Sequence, residues 1–274
     1  MASEQAASHY ARADIEPTIL HALAASGRDV DALKPRDLAA VDEFHLGGLP
    51  MTAALGRALG LHPGKALVGI GSGIGGPARY FAQAHGCRVT GIDLTADYVR
   101  VAETLTRRCG LADRVSFRQG SALAMPFAER SFDVATLLHV GMNIADKTAL
   151  FAEARRVLRQ GGRFAVYDVM RVGEGRITYP TPWAGGEESS FVERPEDYRR
   201  WLGGAGFAIE SETDRRALAL AQAAEMRAST AREGPPALGL HLVVGPAWRE
   251  RAKNLMAALE AGIIAPVEII ARAT

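Results

Sequence analysis

A chain of 274 residues that is 48% hydrophobic and 23% charged holds enough apolar material for one large α/β domain with a cap, or for two modest domains. Its 32 basic and 31 acidic side chains leave a formal net charge of +1, too little to create a long-range field that gathers nucleic acid or an acidic membrane. The two cysteines, Cys87 and Cys109, have no metal spacing, Met1 to Gln5 lacks the start of a signal peptide, and no run approaches the roughly 20 apolar residues of a membrane span, so the expectation is a reduced, soluble, cytoplasmic protein without nucleic-acid or membrane partners.

Residues 1–60 read as a helical preface, with helices over Thr18 to Ser26, from Asp37, and over Met51 to Leu59, the first and last stopped by Gly27 and Gly60. Between them Asp42-Glu43-Phe44-His45-Leu46-Gly47-Gly48 is either a connecting loop or a segment that folds over a ligand. A main core follows over 61–274. Its first strand breaks into the glycine turn Gly69-Ile70-Gly71-Ser72-Gly73-Ile74-Gly75-Gly76, and a helix from Pro77 places Ala78, Phe81 and Ala82 on one face. Glycines are needed there because the backbone turns sharply and a Cβ would hold a ligand away from the peptide N–H groups.

A second strand, Cys87 to Ile92, ends in Asp93, an acid about 20 residues past the turn and placed to accept from ribose hydroxyls. Further alternation gives a helix over Ala96 to Arg108, a strand over Arg114 to Arg118, a strand over Phe132 to His139, a helix over Asp146 to Arg159 stopped by Gly161-Gly162, and a strand over Arg163 to Met170. Strands separated by helices of this length imply a doubly wound, mostly parallel sheet that binds ligands outside its carboxyl ends. Residues 171–194, with Tyr179-Pro180-Thr181-Pro182-Trp183, read as a lid. A helix over Pro195 to Leu202 and a strand over Phe207 to Glu212 lead into a cap insertion at about 214–262, made of helices over Asp214 to Arg232 and Pro246 to Ala261, and Ile264 to Ala271 closes the chain as a strand.

The glycines alone leave the ligand open. Gly71-x-Gly73-x-x-Gly76 fits the dinucleotide pattern of an NAD(P)-dependent oxidoreductase, and Gly69-x-Gly71-x-Gly73 fits that of S-adenosylmethionine (AdoMet) enzymes. Five motifs in order choose between them: the glycine turn, Gly91-Ile92-Asp93-Leu94, Gly120-Ser121-Ala122-Leu123-Ala124-Met125-Pro126-Phe127, Ser131-Phe132-Asp133, and Val157-Leu158-Arg159-Gln160-Gly161-Gly162-Arg163. In these the chain resembles the class I AdoMet-dependent methyltransferases, and among them the small-molecule group of ubiquinone/menaquinone, tocopherol and sarcosine/dimethylglycine methyltransferases. The resemblance implies a seven-stranded Rossmann-like sheet with an antiparallel final strand, AdoMet across the strand ends with S-adenosylhomocysteine as product, and a small-molecule acceptor under a variable cap. An NAD(P)-dependent oxidoreductase and a non-catalytic AdoMet-binding relative are the remaining alternatives.

Carried over position by position, the cofactor set is Tyr10, Gly69, Gly71, Ser72, Gly73, Asp93, Leu94, Ser121, Ala122 and His139. Two of these depart from the family: Gly69 stands where an acid is usual near the methionine end, and Ser121 where an Asp usually accepts from the adenine amino group. His139, ending the fourth strand, is the first candidate base, with Met142 in the wall beside it. Tyr179 and Trp183 are expected substrate walls, and His45 and His241 reach the acceptor only if preface and cap fold over it. Asp168 is expected to satisfy backbone donors, and the pairs Arg107-Arg108, Arg155-Arg156, Arg199-Arg200 and Arg215-Arg216 to be solvated helix faces.

Overall fold

The β-branched and aliphatic runs that read as strands all become strands of one sheet. The computed structural model describes residues 14–274; Tyr10 lies outside them. In chain order the elements are α1 (Ile15–Ala25), α2 (Pro35–Asp42), α3 (Gly48–Ala58), β1 (Ala66–Ile70), α4 (Gly76–His85), β2 (Arg88–Asp93), α5 (Ala96–Arg108), β3 (Val115–Gln119), β4 (Phe132–Leu138), α6 (Lys147–Val157), β5 (Leu158–Arg171), α7 (Pro195–Gly204), β6 (Phe207–Asp214), α8 (Arg216–Glu233), α9 (His241–Val244), α10 (Trp248–Glu260) and β7 (Ile264–Ala273). Sheet order is β3-β2-β1-β4-β5-β7-β6. Strands β1 to β5 pair in parallel, and β7 runs antiparallel between β5 and β6. The chain order reverses where β1 pairs β2 on one side and β4 on the other, so the crevice at their carboxyl ends is the place for a ligand.

Each face of the sheet is covered by the helical stripe its sequence provides. Leu150, Phe151, Ala154 and Val157 of α6 are fully buried with Tyr198 and Leu202 of α7 on one face, while Ala78, Phe81 and Ala82 of α4 pack with Met51 and Leu55 of α3 on the other. Helix α1, α2 and the Tyr98, Val101 and Leu105 face of α5 make a third cluster, joined by Val243 of α9, and the lid residue Trp183 packs with Leu255 and Leu259 of α10 in a fourth.

Three expectations are corrected. The helix before β5 ends at Val157 rather than Arg159, because Leu158 already pairs with Phe132, and Gly161 turns inside the extended segment instead of stopping the helix. Asp214 ends β6 rather than opening the next helix, its carboxylate accepting from the Arg216 N–H at 2.7 Å, and α9 is an added turn of helix in the cap. The arginine pairs are not all solvated: Arg156 donates to the Phe127 and Met125 carbonyls, Arg215 holds the buried Glu268 at 2.7 Å, and Arg216 donates to the Leu259 carbonyl.

Candidate functional site

Gly71 and Gly73 take positive φ, 69° and 53°, so that the chain leaves β1 in a turn an L side chain rarely adopts. The Gly71 and Ser72 N–H groups donate to the Ile92 carbonyl, at 2.8 and 2.9 Å, and the Gly73 N–H donates to Asp93 Oδ2 at 2.8 Å. The other Asp93 oxygen accepts from the Thr95 N–H at 2.9 Å. Burial pushes the Asp93 carboxyl up, opposed by the N–H groups of Thr95 and Gly73. Ser72 Oγ is buried here without a hydrogen-bond partner. Gly69 has ordinary room above it: a Cβ would meet Ser72 Cβ at 3.7 Å and Thr136 Oγ1 at 3.9 Å.

The Asp42 to Gly48 stretch folds over this turn, the second of its two readings. Phe44 lies against Gly73, 3.4 Å from where a Cβ would stand, and meets the Tyr98 ring edge-on at 5.9 Å. A buried ion pair fixes the fold-over: Arg79 Nη2 sits 2.7 Å from Asp42 Oδ2 and donates also to the Ile74 carbonyl, while Nη1 donates to Ala102 O and Thr106 Oγ1. Burial pushes the Asp42 carboxyl up to about 6 against the opposing pull of that guanidinium. Gly76 is needed at the contact, since a Cβ there would overlap the Asp42 carbonyl oxygen.

His45 and His139 meet at the crevice, ring centres 6.0 Å apart. His139 has φ +55°, its Nδ1 is 3.1 Å from the Tyr167 carbonyl, and its Nε2 accepts from the Leu46 N–H at 3.3 Å. Burial, and secondarily the His45 ring, push it down to about 3 although the Tyr167 carbonyl opposes this. The imidazole is therefore neutral with both nitrogens engaged, and the expected base role of His139 does not fit: a base works best with its proton affinity near the working pH and a lone pair facing the substrate. His45 has a different environment. Its Nε2 lies 2.9 Å from Glu43 Oε2 and 2.9 Å from Thr52 Oγ1, the Thr52 hydroxyl donates to that carboxylate at 2.6 Å, and Nδ1 is 3.1 Å from the Leu46 carbonyl.

Asp168 fulfils its structural expectation. The Tyr198 hydroxyl donates to it at 2.7 Å and the Gly141 N–H also reaches it, fixing the loop after β4. Burial lifts its carboxyl to about 6, against the Tyr198 hydrogen bond and the Lys147 charge. An acid raised from 3.8 to about 6 contributes stability that is fully present below pH 3.8 and lost as pH rises through 6. Asp168→Asn is thus expected to be less pH-sensitive than the parent, the gap in urea-unfolding stability shifting in its favour by about 2–3 kcal/mol between pH 4 and 7; parallel pH series with one unchanged gap would contradict this.

The glycine turn, Asp93, the fold-over and the two histidines open on one cavity of about 500 Å³. Of the sequence-derived site residues, Gly69, Gly71, Ser72, Gly73, Asp93, Leu94, Ser121, Ala122, His139, His45, Met142 and Trp183 line it. Tyr179 and His241 do not: Tyr179 packs beside the lid cluster, and the cap instead presents Leu240, Val244, Trp248 and Leu255. Ser121 Oγ accepts from the Leu123 N–H at 3.2 Å and keeps its own proton to donate. Sequence reasoning missed Val140 and Trp248, and it named Asp42 and Phe44 only as part of a stretch with two readings. Trp248 and Leu255 are seven residues apart on one helical face, a spacing that pointed to a common surface but not to what it covers.

A family model described as a methyltransferase domain matches residues 68–166. The chain is 34% identical over 114 residues to sterol 24-C-methyltransferase ERG6B of Gibberella zeae, covering 42% of this chain and 30% of that protein. It is 33% identical over 134 residues to methyltransferase GfsG of Streptomyces halstedii, covering 49% of this chain and 48% of the relative. The chain thus spans half or less of the length of these curated relatives. A solved geranyl diphosphate methyltransferase, in complex with geranyl diphosphate and sinefungin, superimposes with a TM-score of 0.71 at 22% identity over 100% of this chain and 99% of that one. The topology agrees: a dinucleotide dehydrogenase sheet runs 3-2-1-4-5-6 in parallel, whereas here antiparallel β7 separates β5 from β6. Residues 68–166 therefore belong to the class I AdoMet-dependent methyltransferases, and the chain carries their fold.

Proposed function

We propose that this chain transfers the methyl group of AdoMet to a small-molecule acceptor held under its lid and cap. The observation that carries this reading is the continuity of one cavity from the glycine turn and Asp93 to Met142, Trp183 and the cap helices. The sterol methyltransferase relative supports a small-molecule acceptor.

The residues present fit the cofactor. Asp93 retains lone pairs beyond those used by Gly73 and Thr95 and takes the ribose hydroxyls, the unpartnered Ser72 Oγ faces the same turn, and Leu94, Ser121 and Ala122 flank the adenine end. AdoMet, when bound, supplies a methyl carbon already activated by a positively charged sulfur. The chain's remaining tasks are to position the acceptor and keep water out. His139, with both nitrogens hydrogen-bonded to backbone, would wall the cavity beside the cofactor. His45, buried with its nitrogens held by Glu43, Thr52 and the Leu46 carbonyl, is a second hydrogen-bonded wall of the cavity.

Gly69 leaves the methionine end without its usual acid, and a Cβ there would make only ordinary contacts with Ser72 and Thr136. Gly69→Asp is expected to bind AdoMet about tenfold tighter or better, the worth of one charge-assisted hydrogen bond of about 1.5–3 kcal/mol. Calorimetry showing equal or weaker binding would place the ammonium group elsewhere. The function itself is tested by incubating the chain with methyl-labelled AdoMet and a panel of sterols, isoprenoid alcohols and phenols. Label in an organic-extractable product is expected; AdoMet binding with no transfer to any acceptor class would favour the non-catalytic relative.

A further inference from the structure

We infer, resting on the methyltransferase reading, that the acceptor is an uncharged, hydrocarbon-rich molecule with no phosphate or carboxylate, held between Trp183 and Trp248. The chamber beyond the glycine turn is walled by Met142, Val169, Trp183, Val244, Trp248 and Leu255, drawn from the loop after β4, from β5, the lid and α9–α10. Trp183 is locked with its Nε1 donating to Ser190 Oγ at 2.9 Å, so its ring serves as a fixed apolar wall.

Charge points the same way. Among the described residues the ionisable lining consists of Asp42, Asp93, Asp146, Tyr98 and the two histidines, with neither Lys nor Arg. Several basic side chains of the cap and of α6 are committed to protein acceptors. Lys147 donates to the Ile144 and Phe191 carbonyls at 2.6 and 2.9 Å, Arg251 to the Thr181 carbonyl at 2.7 Å, Arg216 to the Leu259 carbonyl, and Arg215 pairs with Glu268. No group of three or more His, Cys, Asp or Glu suited to a metal occurs among the described residues. A diphosphate entering this space would lose its hydration and gain no cation from the lining. A cationic acceptor would share the cavity with the positively charged sulfur of AdoMet and be repelled by it. The polar lining at the inner end, His45 and Asn143, suits one neutral handle such as a hydroxyl or carbonyl.

The test compares ligands that differ only in head group. The full chain, saturated with S-adenosylhomocysteine, is titrated calorimetrically with geraniol and farnesol and with their diphosphates, and uptake of the neutral dye Nile red is followed in parallel. The alcohols are expected to bind at least tenfold tighter than the matching diphosphates, and Trp248→Lys to reverse that preference. Diphosphates binding as tightly as the alcohols would overturn the inference, as would failure of both the alcohols and Nile red to enter the chain. Absence of S-adenosylhomocysteine binding would instead reject the methyltransferase reading on which the inference rests, so the two failures are distinguishable.

Discussion

Gly71→Ala is expected to weaken AdoMet binding by more than a hundredfold while leaving most of the sheet folded. Two costs add at this position. A residue with φ +69° places an alanine Cβ in the left-handed region, costing about 1–2 kcal/mol. That Cβ would also stand 2.7 Å from one Val140 methyl and closer to the other, and overpacking of this kind costs about 1–3 kcal/mol. Relief comes only by moving the turn off Ile92 or the Val140 loop off β4, and both line the cavity. Calorimetric titration with AdoMet, alongside circular dichroism to confirm the fold, measures the effect. Near-parental affinity would mean that the turn is not the cofactor's cradle.

Arg79→Met should be the most destabilising single substitution at the site's base. The guanidinium is fully buried and donates to four partners, joining α4 to α2, to the glycine loop and to α5. Methionine fills much of the volume but leaves Asp42 buried without its countercharge, and removing one member of a buried pair costs about 3–5 kcal/mol. A fall in Tm of roughly 10 °C or more follows for a chain of this size. Because the pair also holds Phe44 against Gly73, AdoMet affinity should fall with it. The double variant Arg79→Met with Asp42→Leu, lacking both charges, is expected to recover a good part of the lost stability. If the single substitution shifted Tm by only a degree or two, the ion pair would not be what anchors the fold-over.

The strand–helix alternation was legible because each element carries its own period. Val101, Ala102 and Leu105 in α5, or Leu150, Ala154 and Val157 in α6, mark a buried stripe without knowledge of their partners. The glycine turn and Asp93 were legible because backbone conformation and strand-end position dictate the residue type. The fold-over of Phe44 and His45 was not, since it depends on Arg79, whose sequence neighbours make it look like an exposed helix residue and whose partner lies 37 positions away. His139 was misread as a base for a related reason: its place at a strand end was visible, but the Tyr167 carbonyl and Leu46 N–H that occupy its nitrogens come from distant chain segments. Tyr179 and His241 were reasonable choices by residue type, yet lid and cap present Trp183 and Trp248 to the cavity instead. Long-range contacts set what the acceptor meets, which is why the acceptor was the least readable part of the chain.

The central claim is that the crevice at β1, β2 and β4 holds an adenosyl cofactor, and one titration tests it most directly. The purified chain is titrated in parallel with AdoMet, S-adenosylhomocysteine, NAD and NADP by calorimetry. Micromolar binding of the two adenosyl sulfur compounds, lost in Gly71→Ala and undetectable for both nicotinamide cofactors, is the expected result. Binding of NAD or NADP with none of either adenosyl sulfur compound would contradict the account at its root.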